Sequence, residues 1–114
     1  MRDINELKKR LLNYLTRRAP GAVDLYNMYC MLTYKTDCIS LLFTTPSKLY
    51  YLILNHYKGD SASADYAFTL LFLGPLALLT GRAEIARELL ELVKSGRDRE
   101  FVELIIKYIG NSAC

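Results

Sequence analysis

Apolar residues along this chain recur at helical spacing, and the clearest instance lies between Glu84 and Lys94. Placed at about 100° per residue, Ile85, Ala86, Leu89, Leu90, Leu92 and Val93 fall on one half of a cylinder. Glu84, Arg87, Glu88, Glu91 and Lys94 fall on the other half. Ser95-Gly96 follows, and glycine closes helices because it enters the left-handed backbone region without strain. Upstream, Tyr66 to Thr80 carries no charged residue, which predicts a helix enclosed by others. As a helix this stretch reaches roughly 22 Å, short of the ~30 Å hydrocarbon core of a bilayer, so a membrane span is not expected. Gly74-Pro75 predicts a kink or break within it. The two segments form a helical hairpin over 66–95 around which the core is expected to assemble.

The same reading divides the rest of the chain into helices. Asp3 and Glu6 stand as a capping pair before a helix that buries Ile4, Leu7, Leu11, Leu12, Tyr14 and Leu15. That helix stops near Arg18, ahead of Pro20-Gly21. Lys8 falls inside the apolar arc and must extend its ammonium beyond it. From Ala22 to Tyr34 apolar residues run nearly all round, which describes either a helix buried on most sides or one with an extra face for a partner. Residues 36–44 contain the run CISLLF, whose length leaves strand and helix open. No second strand is available to pair with it, so a short helix capped by Asp37 is expected. Thr45-Pro46 marks the next start, and that helix runs to Gly59 with Leu49, Leu52, Ile53, His56 and Tyr57 on one face. Asp60 to Ser63 is polar and supplies a cap for the central helix. Asp98 is expected to cap a last helix that buries Phe101, Val102, Ile105, Ile106, Tyr108 and Ile109 and ends at Gly110-Asn111. Five to six helices joined by short connections imply antiparallel neighbours. The expected fold is therefore an all-α compact bundle or hairpin array, as one domain over residues 1–114.

Leu73-Gly74, Gly81, Ala86 and Leu90 stand at the spacing of the Leu-Gly pair, inter-helix Gly, small Ala and later bulky residue of a tetratricopeptide repeat. The stretch resembles one degenerate repeat of that family, which implies two antiparallel helices in close approach across small residues. The resemblance covers about a quarter of the chain, and no second copy stands at a period of about 34 residues. Pro75, inside the first helix, also departs from the pattern. The implication is a single hairpin, not a solenoid.

Composition narrows the class. Hydrophobic residues are 52% and charged residues 24%, which disfavours disorder in a chain of 114 residues. There is no Gln, and charge rests mainly on Arg, Lys and Glu, a habit of thermophile proteins. The net charge of +3 is uneven: residues 1–58 carry +5 and residues 59–114 carry −2. MRDINELKKR lacks the apolar stretch of a secretory signal, so a cytoplasmic location is expected. Three cysteines make neither an even disulfide framework nor a C-x-x-C pair. Cys30 and Cys38 can bridge if the chain reverses between Tyr34 and Asp37, and the terminal Cys114 is placed to react or to link chains.

Candidate chemistry is sparse. His56 is the sole histidine, on an apolar helix face, which reads as a core or boundary imidazole and excludes any two-histidine site. Cys30, Cys38 and His56 lack zinc-ligand spacing. Glu84, Glu88 and Glu91 interleave with Arg87 and Lys94 as a solvated ion-pair face. With no phosphate loop, nucleophile elbow or dinucleotide fingerprint, no catalytic residue, metal or cofactor is expected. One feature has a direction. Arg2, Lys9, Arg10 and Arg17, with Arg18 nearby, form a basic face able to contact four or five phosphates, and Tyr51 can stack on a base.

Two functions follow from these residues. The first is a small non-catalytic helical interaction or subunit protein, self-associating, because residues 22–34 and 66–80 cannot both be enclosed in so small a domain. The second is a helical subunit that contacts RNA or DNA in a ribonucleoprotein or DNA-processing complex through the basic face. In size, helicity and charge the chain resembles the small helical subunits of archaeal CRISPR effector complexes, without a motif in common.

Overall fold

Pro20 and Pro46 stand in the first turn of their helices, where a missing amide costs least, whereas Pro75 lies inside a longer helix, just after a π turn. The computed structural model describes residues 4–112; Arg2, the expected cap Asp3 and Cys114 lie outside them. Seven helices follow one another: α1 Ile4–Arg18, α2 Pro20–Tyr34, α3 Cys38–Leu42, α4 Pro46–His56, α5 Ser61–Leu79, α6 Ala86–Lys94 and α7 Asp98–Ser112. A 3₁₀ turn, Ala83–Ile85, leads into α6. No strand occurs among the described residues. Seven among the described residues is roughly the five to six expected, each matching a segment read from the sequence, the short α3 included. The radius of gyration, 13.1 Å, is close to the ~13 Å of a compact chain of this length.

α5 is the spine. α4 packs on its first half, α6 on its middle and α1 on its last turns, while α7 closes over α6. Phe68, Leu73 and Leu76 of α5 are wholly buried there, with Leu7 and Leu11 of α1, Ile53 of α4 and Leu89 of α6. Two expectations for this helix fail. It starts at Ser61, not Tyr66, because Ser61 and Ala62 continue the helical run without a break. At 19 residues it reaches roughly 28 Å, so length no longer separates it from a bilayer span, and 44% of its apolar window is buried in this fold. It is also not enclosed: Tyr66, Leu70 and Leu78 are exposed, one face having no helix over it.

Pro75 shapes the middle of α5. A proline ring clashes with the carbonyl four residues earlier and brings no amide. The helix responds with a π turn over Thr69–Leu73, so that the Gly74 amide reaches back to the Thr69 carbonyl. A Cβ on Gly74 would stand 3.0 Å from that oxygen. The expected kink takes this form, a wide turn without a break. Gly81, at φ 80°, ends the spine, and the Arg82 amide donates to the Ala77 carbonyl at 3.0 Å. α6 then folds back with Leu89 and Val93 buried, Ile85 of the preceding 3₁₀ turn beside them, and its charged face in solvent.

Polar ties fix the other helices. Asp65 of α5 accepts from the Tyr50 hydroxyl (2.5 Å) and from Lys94 Nζ (2.7 Å), joining α4, α5 and α6. Asp98 does not cap its own helix. Its carboxylate accepts from the Ser47 amide and hydroxyl, both at 2.8 Å, and so satisfies a donor at the start of α4. Thr45, the expected cap there, makes no side-chain bond. The last helix runs through Gly110-Asn111 to Ser112, since two poor helix formers near a chain end do not suffice to stop it.

α3 is a helix, as its cap indicates: Asp37 accepts from the Ser40 amide at 3.1 Å and hydroxyl at 2.7 Å. Lys35, in the left-handed region at φ 61°, reverses the chain after α2. That reversal brings Cys30 and Cys38 to a Cα separation of 5.5 Å, and a disulfide joins them. Asn27 Oδ1 reinforces the junction by accepting from the Cys38 amide at 3.0 Å.

A bridge across eight residues of chain restricts the unfolded state by about 2.5 kcal/mol in the loop-entropy treatment. Thermal melts with and without a phosphine reductant should differ by about 10 °C, the oxidised form being higher. A difference under about 2 °C would show that the bridge leaves stability untouched.

Candidate interaction surfaces

α2 touches the body of the protein along a narrow line. Only Tyr26 and Cys30 are buried, on one side, with Asn27 and the disulfide anchoring its second half. Successive residues at about 100° place Leu25, Met28, Met31 and Leu32 on the far side. Met28 and Met31 are each 51% exposed and Leu32 69%. A solvated face normally carries Lys, Arg or Glu. Here the only charges are Asp24 near its start and Lys35 at its end. Of the two readings of this helix, burial on most sides does not hold, and an exposed apolar face is what the fold leaves. The sequence cannot distinguish that case from an extra face, because Met, Tyr and Leu serve both.

Lys9, Arg10, Arg17 and Arg18 of α1 are exposed, and no carboxylate pairs with them among the described residues. Arg10 and Arg17 lie two turns apart on one flank, and Lys9 points about 100° away from them. Arg18 lies over the Tyr14 ring at 5.4 Å. Leu12, expected in the core, is exposed at the edge of the apolar arc. Tyr51 is exposed on α4, edge-on to Tyr50.

Between α1 and α5 runs a groove that sequence reasoning missed. Its larger part, about 500 Å³, is lined by Leu15, Arg18 and Ala19 on one side and Leu70, Leu71, Gly74, Pro75 and Leu78 on the other. It continues into a basic part bounded by Arg10, Asn13, Arg17 and Leu79, with Tyr14 and Arg18 common to both. Gly74-Pro75 was the available signal, since π turns gather at functional positions.

His56 is exposed and not in the core. It sits among three tyrosine rings, 5.6 Å from Tyr26, 5.6 Å from Tyr29 and 5.1 Å from Tyr57. No carboxylate orients it among the described residues. With Thr33, Tyr34, Leu52 and Asn55 it lines a shallow pocket of about 270 Å³ between α2 and α4. Cys30 and Cys38 have no thiolate to offer a metal, being bonded to each other. No group of three His, Cys, Asp or Glu side chains converges among the described residues.

Two tyrosines and one aspartate are electrostatically displaced. Burial, then a hydrogen bond with Tyr57, pushes the Tyr26 phenol above its ordinary range. Burial, then the bond to Asp65, does the same to Tyr50. At Asp37 burial acts upward, but the Ser40 hydrogen bonds and the charge of Lys8 outweigh it and hold the carboxyl low.

No known protein family matches this chain, and neither a curated sequence nor a solved structure matches it.

Raised phenols give stability a defined pH dependence. The folded chain holds these protons where an unfolded tyrosine, with an ordinary value of 10.0, releases them. Their contribution is complete below about pH 10 and falls as pH rises from there toward the folded values. Urea melts from about pH 9 to 11.5 should show stability falling above pH 10 by about 1.4 kcal/mol per pH unit for each phenol. Tyr50→Phe should make that fall less steep; an unchanged slope would remove Tyr50 from the account.

Proposed function

We propose that this protein works through contact and not catalysis, and that its principal contact is with a second copy of itself across the outer face of α2. The observation that carries this reading is the exposure of Leu25, Met28, Met31 and Leu32 on a helix with no basic or acidic residue among them. An apolar face of this kind is stabilised by covering it. Charge argues for an antiparallel partner. A two-fold axis crossing α2 midway between Met28 and Met31 sets Met28 of one copy against Met31 of the other. The same register sets Asp24 of one copy against Lys35 of the other, twice. In a parallel arrangement like charges face each other, which costs stability.

A contact made mainly by one helix per copy lies at the small end of stable interfaces, below about 1,200 Å². Association is accordingly concentration-dependent. Sedimentation from about 1 to 200 μM should show the 13.1 kDa chain converting to a species of twice that mass. Met28→Glu with Leu32→Glu should leave a folded monomer throughout. Asp24→Lys should weaken association by about tenfold, and adding Lys35→Asp should restore it. A wild-type monomer at every concentration would sink the reading.

A second reading rests on the exposure of Lys9, Arg10, Arg17 and Arg18, with no carboxylate paired to them among the described residues. It takes RNA or DNA as partner and requires only that phosphates lie along the flank of α1. Fluorescence polarisation with labelled single and double strands should then show micromolar binding that weakens steeply with salt. Substituting Arg10 and Arg17 by Glu should abolish it. Absence of binding at low salt removes this reading and leaves the first intact.

A further inference from the structure

We propose that the groove between α1 and α5 binds one molecule of an anionic amphiphile, its alkyl chain on the apolar floor and its phosphate or carboxylate head among Arg10, Arg17 and Arg18. This site is separate from the outer face of α2. It shares its arginines with the nucleic-acid reading but makes a different demand on the groove.

Three observations converge on it. First, the cleft follows from the backbone. The π turn widens the spine at Thr69–Leu73, Gly74 puts no side chain into the gap, and Ala19, between α1 and α2, leaves the opposite wall low. At about 500 Å³ the apolar part has the size of a small-molecule pocket. Second, its walls are apolar where they meet solvent: Leu70 and Leu78 are 60% and 57% exposed. Third, the basic part adjoins this floor and holds three guanidinium groups without a paired carboxylate among the described residues. Arg17 and Arg18 favour the carboxyl end of α1 through its dipole. That does not account for Arg10, seven residues earlier, or for the apolar floor beside them.

Charge complementarity decides the occupant. A neutral hydrocarbon leaves the guanidinium groups unused, and a phosphate chain leaves the floor wet. A single molecule with one anionic end and an alkyl body matches both parts. Arg18, held over Tyr14, marks the junction between them.

The probes are octyl, decyl and dodecyl phosphate below their micellar concentrations, measured by calorimetry and by amide shifts on the whole chain. Binding should be one to one and should tighten by about threefold to fourfold per added methylene. Arg17→Gln with Arg18→Gln should weaken it at least tenfold. Leu70→Ser with Leu78→Ser should weaken it comparably; both positions are exposed, and a thermal melt checks that the fold is kept. Chain-length independence, or equal affinity for an uncharged alkyl maltoside, would overturn the proposal. So would binding to anionic vesicles without binding to soluble alkyl phosphate, which would mean a lipid surface. Binding of single-stranded RNA that the Leu70 and Leu78 substitutions leave unchanged, with no alkyl phosphate bound, would assign the arginines to a polynucleotide.

Discussion

Pro75 has no amide hydrogen, and it stands inside the helix on which α1, α4 and α6 all pack. That one missing donor constrains the rest of the molecule. A regular α-helix would set the proline ring against the carbonyl of Leu71. The π turn before it removes the conflict while keeping Phe68, Leu73 and Leu76 on the buried side. Glycine at position 74 eases this solution, because a Cβ there would stand 3.0 Å from the Thr69 oxygen. It leaves the flank of the spine uneven, and the short side chain of Ala19, between α1 and α2, does not fill it. Core geometry and surface cleft are two results of the same accommodation.

The outer helix α2 illustrates the opposite case, where attachment is local. A disulfide, the Asn27 side chain and Tyr26 secure one side. Because those ties suffice, nothing in the fold requires the remaining apolar residues to turn inward. The uneven charge of the chain has a related consequence. The basic half, residues 1–58, builds α1 to α4, while the acidic half, residues 59–114, builds the spine α5 with α6 and α7. Asp65 and Asp98 then reach from the acidic half to Tyr50 and Ser47 of the basic half.

Periodicity made much of this fold legible. Helix type and the buried set of α6 follow from spacing, and Asp37 signals its cap because its acceptor and Ser40 are three residues apart. Burial was less legible. Tyr66, Leu70 and Leu78 look like core residues in a charge-free run, yet enclosure depends on whether a neighbouring helix covers that side. Only tertiary packing decides that. His56 was misplaced for the same reason, its face being apolar toward Leu49 and Ile53 but open at the helix end. Asp98 carried a local cap signal and bonds instead 51 residues away. Of the candidate sites, the basic residues were visible as charges. The groove beside them was not, because Gly74-Pro75 signals an irregular backbone but not which neighbouring helix it will face.

The bond between Ser47 and Asp98 bears on the order in which the molecule can be completed. The start of α4 is finished by a residue that leaves the ribosome only after α5 and α6. An amino-terminal fragment ending before α7 therefore retains an unsatisfied helix start and an uncovered face on α6. Helix α7 completes two places at once, the amino-terminal turn of α4 and the open side of α6.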